Sequence, residues 1–310
     1  MTDPRPREGN ELRIGVIGLP GRWSTDHLAK VVADRVGTCS TIDLGAVSLD
    51  LAAGTCLYEG EDLCGYDALL VKKLDESYSP QNLDRIEVLH YLQARGVRVF
   101  SRPERIGRLI NRLSCTVEMG AAGVPMPETF VTEDPEEATH AILTYGGAVL
   151  KPLYSTKARG MRLVESSDPG EVRSVVDEFQ AEGNRTVYIQ KRVPMPDRDL
   201  GVVFIGETYL ATYARVKGEG AWNTTTQAGG SYACEVIDEA TIEMARQARD
   251  LFELDFTVVD VVQSEVGTFV FEVSAFGGFR GVHEGCGVDA AGAYVDHVQA
   301  QLALQGAESR

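Results

Sequence analysis

The chain has 310 residues, of which 46 are acidic and 30 are basic, so that its formal net charge is −16 at pH 7. This charge argues against non-specific binding to nucleic acid or to an anionic membrane surface, and no apolar run approaches the roughly 20 residues of a membrane-spanning helix. The first residues, MTDPRPREGNE, lack the apolar core of a secretory signal, and the six cysteines form no Cys-x-x-Cys motif. We therefore expect a cytoplasmic protein with reduced thiols, without a disulfide framework or a zinc site.

The first third of the chain predicts a parallel α/β domain at 12–110, preceded by a flexible polar tail at 1–11. Strand runs alternate there with helical patterns, which is typical of a parallel sheet covered by helices. The strand runs lie at 12–19, 66–74 and 97–101, and the helical patterns lie at 24–37 and 79–96.

A dehydrogenase-like nucleotide site in this domain is a minor alternative. Gly15, Gly18 and Gly21 accompany the first strand run, and Asp43 ends the next one. Their spacing is Gly-x-x-Gly-x-x-Gly rather than the Gly-x-Gly-x-x-Gly of dinucleotide-binding turns, so the pyrophosphate turn is not reproduced.

The middle of the chain, 111–194, predicts a second subdomain of short helices and strands. Two of its helices begin with the same pattern, in which an Asp caps the helix, a Pro follows and a Glu completes a capping box. These residues are Asp134, Pro135 and Glu137 in one helix, and Asp168, Pro169 and Glu171 in the other.

The last part of the chain, 195–310, predicts an antiparallel α+β subdomain. The runs FTVVDVVQS and TFVFEVSAF are separated by a short turn and are expected to form a hairpin. Asp260 and Glu272 can then lie side by side, and Ser274 shares a face with Glu272 because side chains alternate along a strand. Two adjacent carboxylates repel, so either one is protonated or cations neutralise them. These cations are a metal ion such as Mg²⁺, or Arg and Lys in a core ion network.

A polar loop in the middle of the chain carries groups that suit phosphate. Lys151 ends an apolar strand, and the loop that follows contains Ser155, Lys157 and Gly160. Cations and backbone N–H groups in such a loop can hold phosphate oxygens, although a basic loop is more often a solvated turn. The strand edge at 190–193 offers a backbone that can bond to an adenine edge.

The order of these motifs resembles the ATP-grasp superfamily, and within it the RimK-like carboxylate–amine ligases. The order is Lys-Pro with a Gly-containing polar loop, then Gln-x-x-Val, Arg-Asp, Gly-Gly, and finally Asp and Glu on paired strands. The resemblance covers almost the whole chain and extends to the GAK-system ATP-grasp proteins. It implies an ATP-grasp fold, α/β plus α+β, in which 12–110 is an N-terminal parallel α/β (pre-ATP-grasp) domain.

The resemblance also implies a function. Such an enzyme joins a carboxylate, on a small molecule or a peptide, to an amino-acid amine such as that of glutamate through an acyl phosphate. Its cofactors are ATP and Mg²⁺, with Mn²⁺ as an alternative, and related enzymes often form homo-oligomers. The residues implied as ATP contacts are Arg112, Lys151, Ser155, Lys157, Gly160, Gln190, Lys191, Val193 and Asp199. The residues implied as metal ligands are Asp260, Glu272 and Ser274.

Several positions depart from the family pattern around the triphosphate and the metal. Arg112 replaces a lysine, Gly201 replaces an arginine that reaches the γ-phosphate, and Ser274 replaces a metal-binding asparagine. Asn223 and Thr225 stand in a segment where the family has Arg and Asn.

Other cations are predicted to compensate, namely the catalytic candidates Arg215, Lys217 and Arg280, or Lys157. Without such compensation, the alternative is an ATP-grasp protein that has lost ligation. It would then act as a kinase of a small molecule or as a nucleotide-binding regulatory protein.

Overall fold

The computed structural model describes residues 12–156, 158–218 and 230–308. The predictions of a flexible tail at 1–11, of a phosphate contact at Lys157 and of departures at Asn223 and Thr225 lie outside these described residues. Within them, no helix combines the length and the apolar character needed to cross a bilayer.

The chain divides into two compact units. Described residues of the first unit lie at 12–76, 83–103 and 291–308, and those of the second lie at 77–82 and 104–290. The predicted boundaries between subdomains after residues 110 and 194 stay a prediction.

The first unit is built on a parallel sheet. Its elements, in chain order, are β1 (Ile14–Ile17), α1 (Trp23–Val36), β2 (Ser40–Ile42), β3 (Ser48–Asp50), β4 (Thr55–Tyr58), β5 (Glu61–Asp62), β6 (Ala68–Val71), α2 (Asn82–Ala94) and β7 (Arg98–Phe100). Four strands pair in parallel in the order β2-β1-β6-β7. Every residue of β1 and β6 is buried, as expected for apolar runs in a parallel sheet. The predicted parallel α/β architecture is confirmed.

Two local features of this unit were not predicted. β3, β4 and β5 form a small antiparallel sheet. Asp43 caps a short 3₁₀ turn, in which its carboxylate accepts the backbone N–H of Gly45 at 2.8 Å. The carboxylate that suggested a dehydrogenase site is therefore used in a local turn.

The second unit contains two antiparallel sheets and their helices. Its elements, in chain order, are α3 (Pro103–Ile110), α4 (Arg112–Ala121), β8 (Thr129–Thr132), α5 (Pro135–Tyr145), β9 (Ala148–Lys151), β10 (Arg162–Val164), α6 (Pro169–Ala181), β11 (Val187–Lys191), β12 (Arg198–Ile205), β13 (Thr208–Val216), β14 (Ser231–Glu235), α7 (Glu239–Asp250), β15 (Phe256–Ser264), β16 (Gly267–Ser274) and α8 (Phe279–Cys286). The last helix, α9 (Ala290–Glu308), belongs to the first unit from Ala291 onward.

The smaller sheet of the second unit has the strand order β10-β9-β11-β8. Helices α5 and α6 cover it, and the apolar cluster between them includes Ile142, Leu150, Val176, Phe179 and Ile189. This core fixes β9 and β11 side by side, so that the ends of both strands have defined positions.

The predicted helix caps are confirmed only in part. Asp134 and Asp168 cap α5 and α6 by accepting backbone N–H groups of the first turn. The glutamate half of each predicted capping box is wrong. The backbone N–H of Asp134 donates instead to the hydroxyl of Thr132 at 3.0 Å, and that of Asp168 donates to the hydroxyl of Ser166 at 3.1 Å. A hydroxyl two residues upstream therefore already satisfies the group that each glutamate was expected to bind.

The larger sheet has the strand order β14-β13-β12-β15-β16, and every pairing in it is antiparallel. The predicted hairpin is confirmed, because β15 pairs with β16 and places Asp260 opposite Glu272. The register shifts immediately after Asp260, which marks a β-bulge beside this pair.

A disulfide joins β14 to the C-terminal end of α8. Cys234 and Cys286 form it, with their Cα atoms 4.6 Å apart. The prediction that all six cysteines are reduced is therefore wrong for this pair. The two residues are 52 positions apart and form no motif, so only the packing of α8 against the edge strand brings them together.

Candidate active site

One row of residues crosses the larger sheet of the second unit. Tyr213 on β13 pairs with Gly201 on β12, Gly201 pairs with Asp260 on β15, and Asp260 pairs with Glu272 on β16. Directly opposite residues in antiparallel strands point to the same face, so these four positions share one face. The two carboxylates are therefore neighbours, as the hairpin predicted.

Arg215 is the centre of an ion cluster on this face. Its Nη2 lies 2.5 Å from Oδ2 of Asp199 and 3.0 Å from Oδ1 of Asp260. The second contact lacks hydrogen-bond geometry, so the buried Oδ1 has no hydrogen-bond partner among the described residues. Burial raises the pKa of the Asp260 carboxyl, while the positive charge of Arg215 opposes that rise. Arg215 thus partly neutralises two acids at once.

Arg112, at the start of α4, lies against the other carboxylate. Its Nη1 donates to Oε2 of Glu272 at 3.2 Å, its Nε donates to the carbonyl oxygen of Pro152 at 3.3 Å, and its Nη2 donates to the hydroxyl of Ser155 at 3.4 Å. The Arg112 side chain is 9% exposed, whereas that of Glu272 is 36% exposed. One guanidinium thus bridges three acceptors in a geometry that a lysine ammonium group cannot reproduce.

Lys151 is a buried cation at the end of β9. Its Nζ donates to Oε1 of Gln190 at 2.5 Å and lies 5.1 Å from the centre of the Phe271 ring. Burial, together with the charge of Arg112, lowers the pKa of this ammonium group to about 7. A desolvated cation of this kind is stabilised when an anion is placed beside it.

A shallow pocket lies beside these groups. Its lining contains Tyr78, Leu109, Ile110, Arg112, Cys115, Thr116, Leu153, Ser155, Phe271 and Glu272. Phe271 and Glu272 both line the pocket although consecutive strand residues normally face opposite ways. The β-bulge after Asp260 accounts for this, because a bulge redirects the side chains of the strand that carries the extra residue.

The pocket residues that the sequence patterns missed include two aromatic side chains. Phe271 reads as an ordinary apolar strand residue, and Tyr78 lies in a Ser-Tyr-Ser-Pro segment that reads as a turn. In the second unit the Tyr78 ring meets the edge of Phe276, with 6.2 Å between ring centres. For Tyr78, the only sequence feature that could have indicated a role in the pocket is an isolated aromatic residue in a polar turn.

The structure explains the glycine at position 201. A Cβ added there would lie 2.4 Å from Cζ of Tyr213, which is far shorter than a van der Waals contact. Tyr213 is only 4% exposed, and burial raises the pKa of its phenol. The ring therefore occupies the space that an arginine side chain at position 201 would need.

Two predicted site residues have partners away from this cluster. Nζ of Lys191 lies 2.5 Å from Oε1 of Glu128, and Nε of Arg280 lies 3.3 Å from Oε1 of Glu284 within α8. Lys191 follows Gln190 directly, so alternation along β11 directs its side chain to the opposite face. The roles assigned to Lys191 and Arg280 stay predictions.

The remaining predicted residues lie at the margins of the cluster. Ser274 pairs with Val258, two residues along the hairpin from the Asp260–Glu272 pair. Val193 is buried just after β11, Lys217 lies just after β13, and Gly160 has a φ of +70° in the loop after β9. Their roles also stay predictions.

The donor set on β15 and β16 fits a Mg²⁺ ion. Oδ1 of Asp260 is buried without a hydrogen bond to any described residue, and Glu272 faces the pocket. Over the described ranges, no three or more His, Cys, Asp or Glu side chains surround one point, so the protein offers two carboxylates. Two carboxylates suffice, because Mg²⁺ usually takes phosphate oxygens and waters as its other ligands.

The alternative arrangement, a core ion network, is visible in the same residues. Arg215 lies against Asp260, and Arg112 lies against Glu272. The two arrangements use the same oxygens, so they differ in which cation neutralises each carboxylate.

Comparison with known proteins identifies relatives over most of the chain. Residues 110–298 match the family model of the RimK-like ATP-grasp domain. The ribosomal protein bS6–L-glutamate ligase of Escherichia fergusonii is 26% identical over 296 residues, which cover 93% of this chain and 96% of that protein. The tetrahydromethanopterin:alpha-L-glutamate ligase of Methanosarcina acetivorans is 25% identical over 267 residues, which cover 81% of this chain and 82% of that protein.

A solved structure shows the same fold. The ATP-grasp ligase PsnB, complexed with a phosphomimetic variant of its minimal precursor, Mg and ADP, has a TM-score of 0.74 to this chain at 20% identity. The similarity covers 94% of this chain and 99% of that one, and it confirms the predicted ATP-grasp fold. The chain therefore belongs to the RimK-like ATP-grasp family and is an ATP-dependent ligase that forms carbon–nitrogen bonds.

Proposed function

We propose that this protein joins a carboxylate to an amino-acid amine in a Mg²⁺- and ATP-dependent reaction that proceeds through an acyl phosphate. The observation that carries this proposal is the Asp260–Glu272 pair, which has Arg215 at one carboxylate and Arg112 at the other. Groups of this kind suit a metal-bound triphosphate, because carboxylates hold Mg²⁺ and guanidinium groups bind phosphate oxygens.

In this proposal, the nucleotide lies along the smaller sheet and the loop after β9. Lys151 contacts a phosphate, and the loop with Ser155 and Gly160 approaches the same group. Gln190 positions Lys151 through the 2.5 Å hydrogen bond between their side chains. The backbone that ends at Val193 meets the adenine edge, and the structure of PsnB with Mg and ADP supports a nucleotide in a protein of this fold.

Asp260 and Glu272 would hold Mg²⁺, with Ser274 as a further oxygen donor. When bound, the ion supplies positive charge to the phosphate oxygens and thereby lowers the energy of the transferring phosphoryl group. All other contributions come from side chains of the chain itself.

The chemistry requires two displacements. The substrate carboxylate attacks the γ-phosphorus of ATP and ADP leaves, and the amine then attacks the acyl carbon while inorganic phosphate leaves and the amine loses a proton. Arg112, Lys151 and Arg215 position the anions and neutralise their charge during both steps. No covalent nucleophile is needed. The pocket residue Cys115 fits that view, because burial raises the pKa of its thiol to about 12 and keeps it protonated.

The relatives guide the choice of substrates to test. Two of them are glutamate ligases by name, so glutamate is the first amine that we propose. A structure of PsnB shows it complexed with the precursor peptide PsnA2 and AMPPNP, so we propose a peptide carboxylate as an acceptor beside a small molecule. A homo-oligomeric state and a cytoplasmic location stay predictions.

The proposal is tested by measuring ADP release over pairs of carboxylates and amino acids, with mass spectrometry of the products. We expect at least one pair to give stoichiometric ADP, phosphate and amide, and the Asp260→Asn variant to give none. A phosphorylated product without an amide would contradict ligation and indicate a kinase. Binding of Mg·ATP without any turnover would indicate a regulatory protein.

A further inference from the structure

Tyr213 is held in one position by two glycines. A Cβ added at Gly201 would lie 2.4 Å from Cζ of its ring, and a Cβ added at Gly281 in α8 would lie 2.4 Å from Cε2. The ring also meets Tyr232 edge-on, with 5.6 Å between ring centres. Because neither glycine can bear a side chain without moving the ring, the backbone on both sides is shaped around Tyr213.

The hydroxyl of Tyr213 lies over Gly201, the residue between Tyr213 and Asp260 in the row. A Cβ added at Gly201 would be 2.7 Å from the hydroxyl oxygen, so the oxygen takes roughly the place of the missing side chain. Asp260 is the next residue in the row, and Cβ positions of directly opposite residues are about 5 Å apart. The hydroxyl therefore extends from β13 towards the two carboxylates.

This hydroxyl has no hydrogen bond to any residue of 12–156, 158–218 or 230–308, although the side chain is only 4% exposed. The hydroxyl oxygen is not among the fully buried side-chain atoms that lack a hydrogen bond, so it keeps part of the small exposed area of this side chain. A phenol is also a neutral donor at physiological pH. Packing therefore explains the ring, and the hydroxyl stays accessible as a donor to a ligand.

We propose that the Tyr213 hydroxyl is a substrate-contacting residue, which donates a hydrogen bond to an oxygen of the terminal phosphate of ATP. This inference rests on the proposed function. It follows from position, because the hydroxyl shares one face with Asp260, Glu272 and Arg215, and the Arg215 guanidinium lies 5.9 Å from the Tyr213 ring. Gly201 acts as a positioning residue, since its missing side chain creates the space for the hydroxyl.

The Tyr213→Phe variant tests this contact, because it removes the hydroxyl and keeps the ring. Isothermal titration calorimetry would measure the binding of Mg·AMPPNP and of Mg·ADP to the wild type and to this variant. The matched control is Tyr232→Phe, which removes the hydroxyl of the adjacent ring. We expect Tyr213→Phe to weaken Mg·AMPPNP binding about tenfold and to leave Mg·ADP binding unchanged, because only AMPPNP carries a γ-phosphate group. The control is expected to change neither.

Two results would overturn the proposal. One is a Tyr213→Phe variant that binds both nucleotides as the wild type does, and the other is an equal loss for both nucleotides. Urea denaturation of the variant, with an unchanged midpoint, shows that the fold is intact. If the wild type itself does not bind Mg·ADP, the proposed function fails first and this inference fails with it.

Gly201→Ala provides a second test that does not remove the hydroxyl. Its methyl group displaces the ring, so we expect a similar loss of preference for Mg·AMPPNP over Mg·ADP. In the Tyr213→Phe background, the same substitution is expected to cause no further loss of that preference, because both changes act through one hydroxyl. Additive losses would show that Gly201 acts independently of Tyr213 and would contradict its assignment as a positioning residue.

Discussion

Replacing Lys151 with methionine is expected to stabilise the folded protein while it weakens nucleotide binding. Burial lowers the pKa of this lysine from 10.5 to about 7, so the folded state binds the proton less tightly than the unfolded state does. At about 1.4 kcal/mol for each tenfold change in proton affinity, the charged form destabilises the fold by about 5 kcal/mol. Loss of the hydrogen bond to Gln190 offsets about 1–3 kcal/mol of the gain, which leaves about 2–4 kcal/mol.

The pH dependence identifies the cause of this stabilisation. Because the pKa of Lys151 is lowered in the folded state, the whole destabilising free energy of its buried charge is present below about pH 7. This destabilisation vanishes as the pH rises towards 10.5. Urea denaturation would compare wild type and Lys151→Met at about pH 6 and at about pH 10. The matched control is Lys191→Met, which removes an exposed ion pair to Glu128 and is expected to change stability by no more than about 1 kcal/mol. A Lys151→Met variant that is no more stable than wild type at about pH 6 would refute the reasoning, as would a difference that stays constant with pH.

Four further substitutions test other contacts of the second unit. Asp260→Asn and Glu272→Gln are each expected to abolish Mg²⁺-dependent ADP release without changing the circular dichroism spectrum. The control Glu265→Gln, in the turn of the same hairpin, is expected to retain activity. Full activity in either of the first two variants would contradict the assignment of that residue as a metal ligand. Arg112→Lys is expected to lower the free energy of unfolding in urea by about 1–3 kcal/mol, because an ammonium group cannot reach three separate acceptors, and an unchanged value would show that these bonds contribute little. Cys286→Ser is expected to lower the free energy of unfolding by about 4 kcal/mol, because the disulfide closes a loop of 52 residues. Dithiothreitol should lower the free energy of unfolding of the wild type by the same amount and should not change that of the variant.

The architecture could be predicted because its signals are local. The apolar runs of the first unit indicate buried parallel strands, and the Asp-Pro starts at 134–135 and 168–169 indicate helix caps. The hairpin that carries Asp260 and Glu272 could also be predicted, because a short turn between two strand runs fixes which residues oppose each other. Each of these features depends on residues that are close in sequence.

The features that could not be predicted depend on contacts between distant segments. The disulfide requires α8 to pack against β14, and no spacing of the cysteines indicates that contact. The orientation of Phe271 results from a bulge, which moves it into the pocket against the ordinary alternation. Tyr213 fills the position above Gly201 only because β12 and β13 pair in this register. The direction of the Lys191 side chain, by contrast, follows from the sequence, because Lys191 alternates with Gln190 on one strand.

The arginines of the site connect its stability to its chemistry. An unneutralised Asp260–Glu272 pair would destabilise the fold, since two adjacent carboxylates repel and one of their oxygens is buried. Arg215 and Arg112 reduce that cost, and they come from different elements, β13 and α4, so the same ion pairs also connect those elements to β15 and β16. A guanidinium fork binds carboxylate and phosphate with the same geometry, so a phosphate group that approaches Arg112 competes with Glu272 for it. A cation that binds Glu272 at the same time removes this competition, and binding of the metal and of the nucleotide should therefore favour each other.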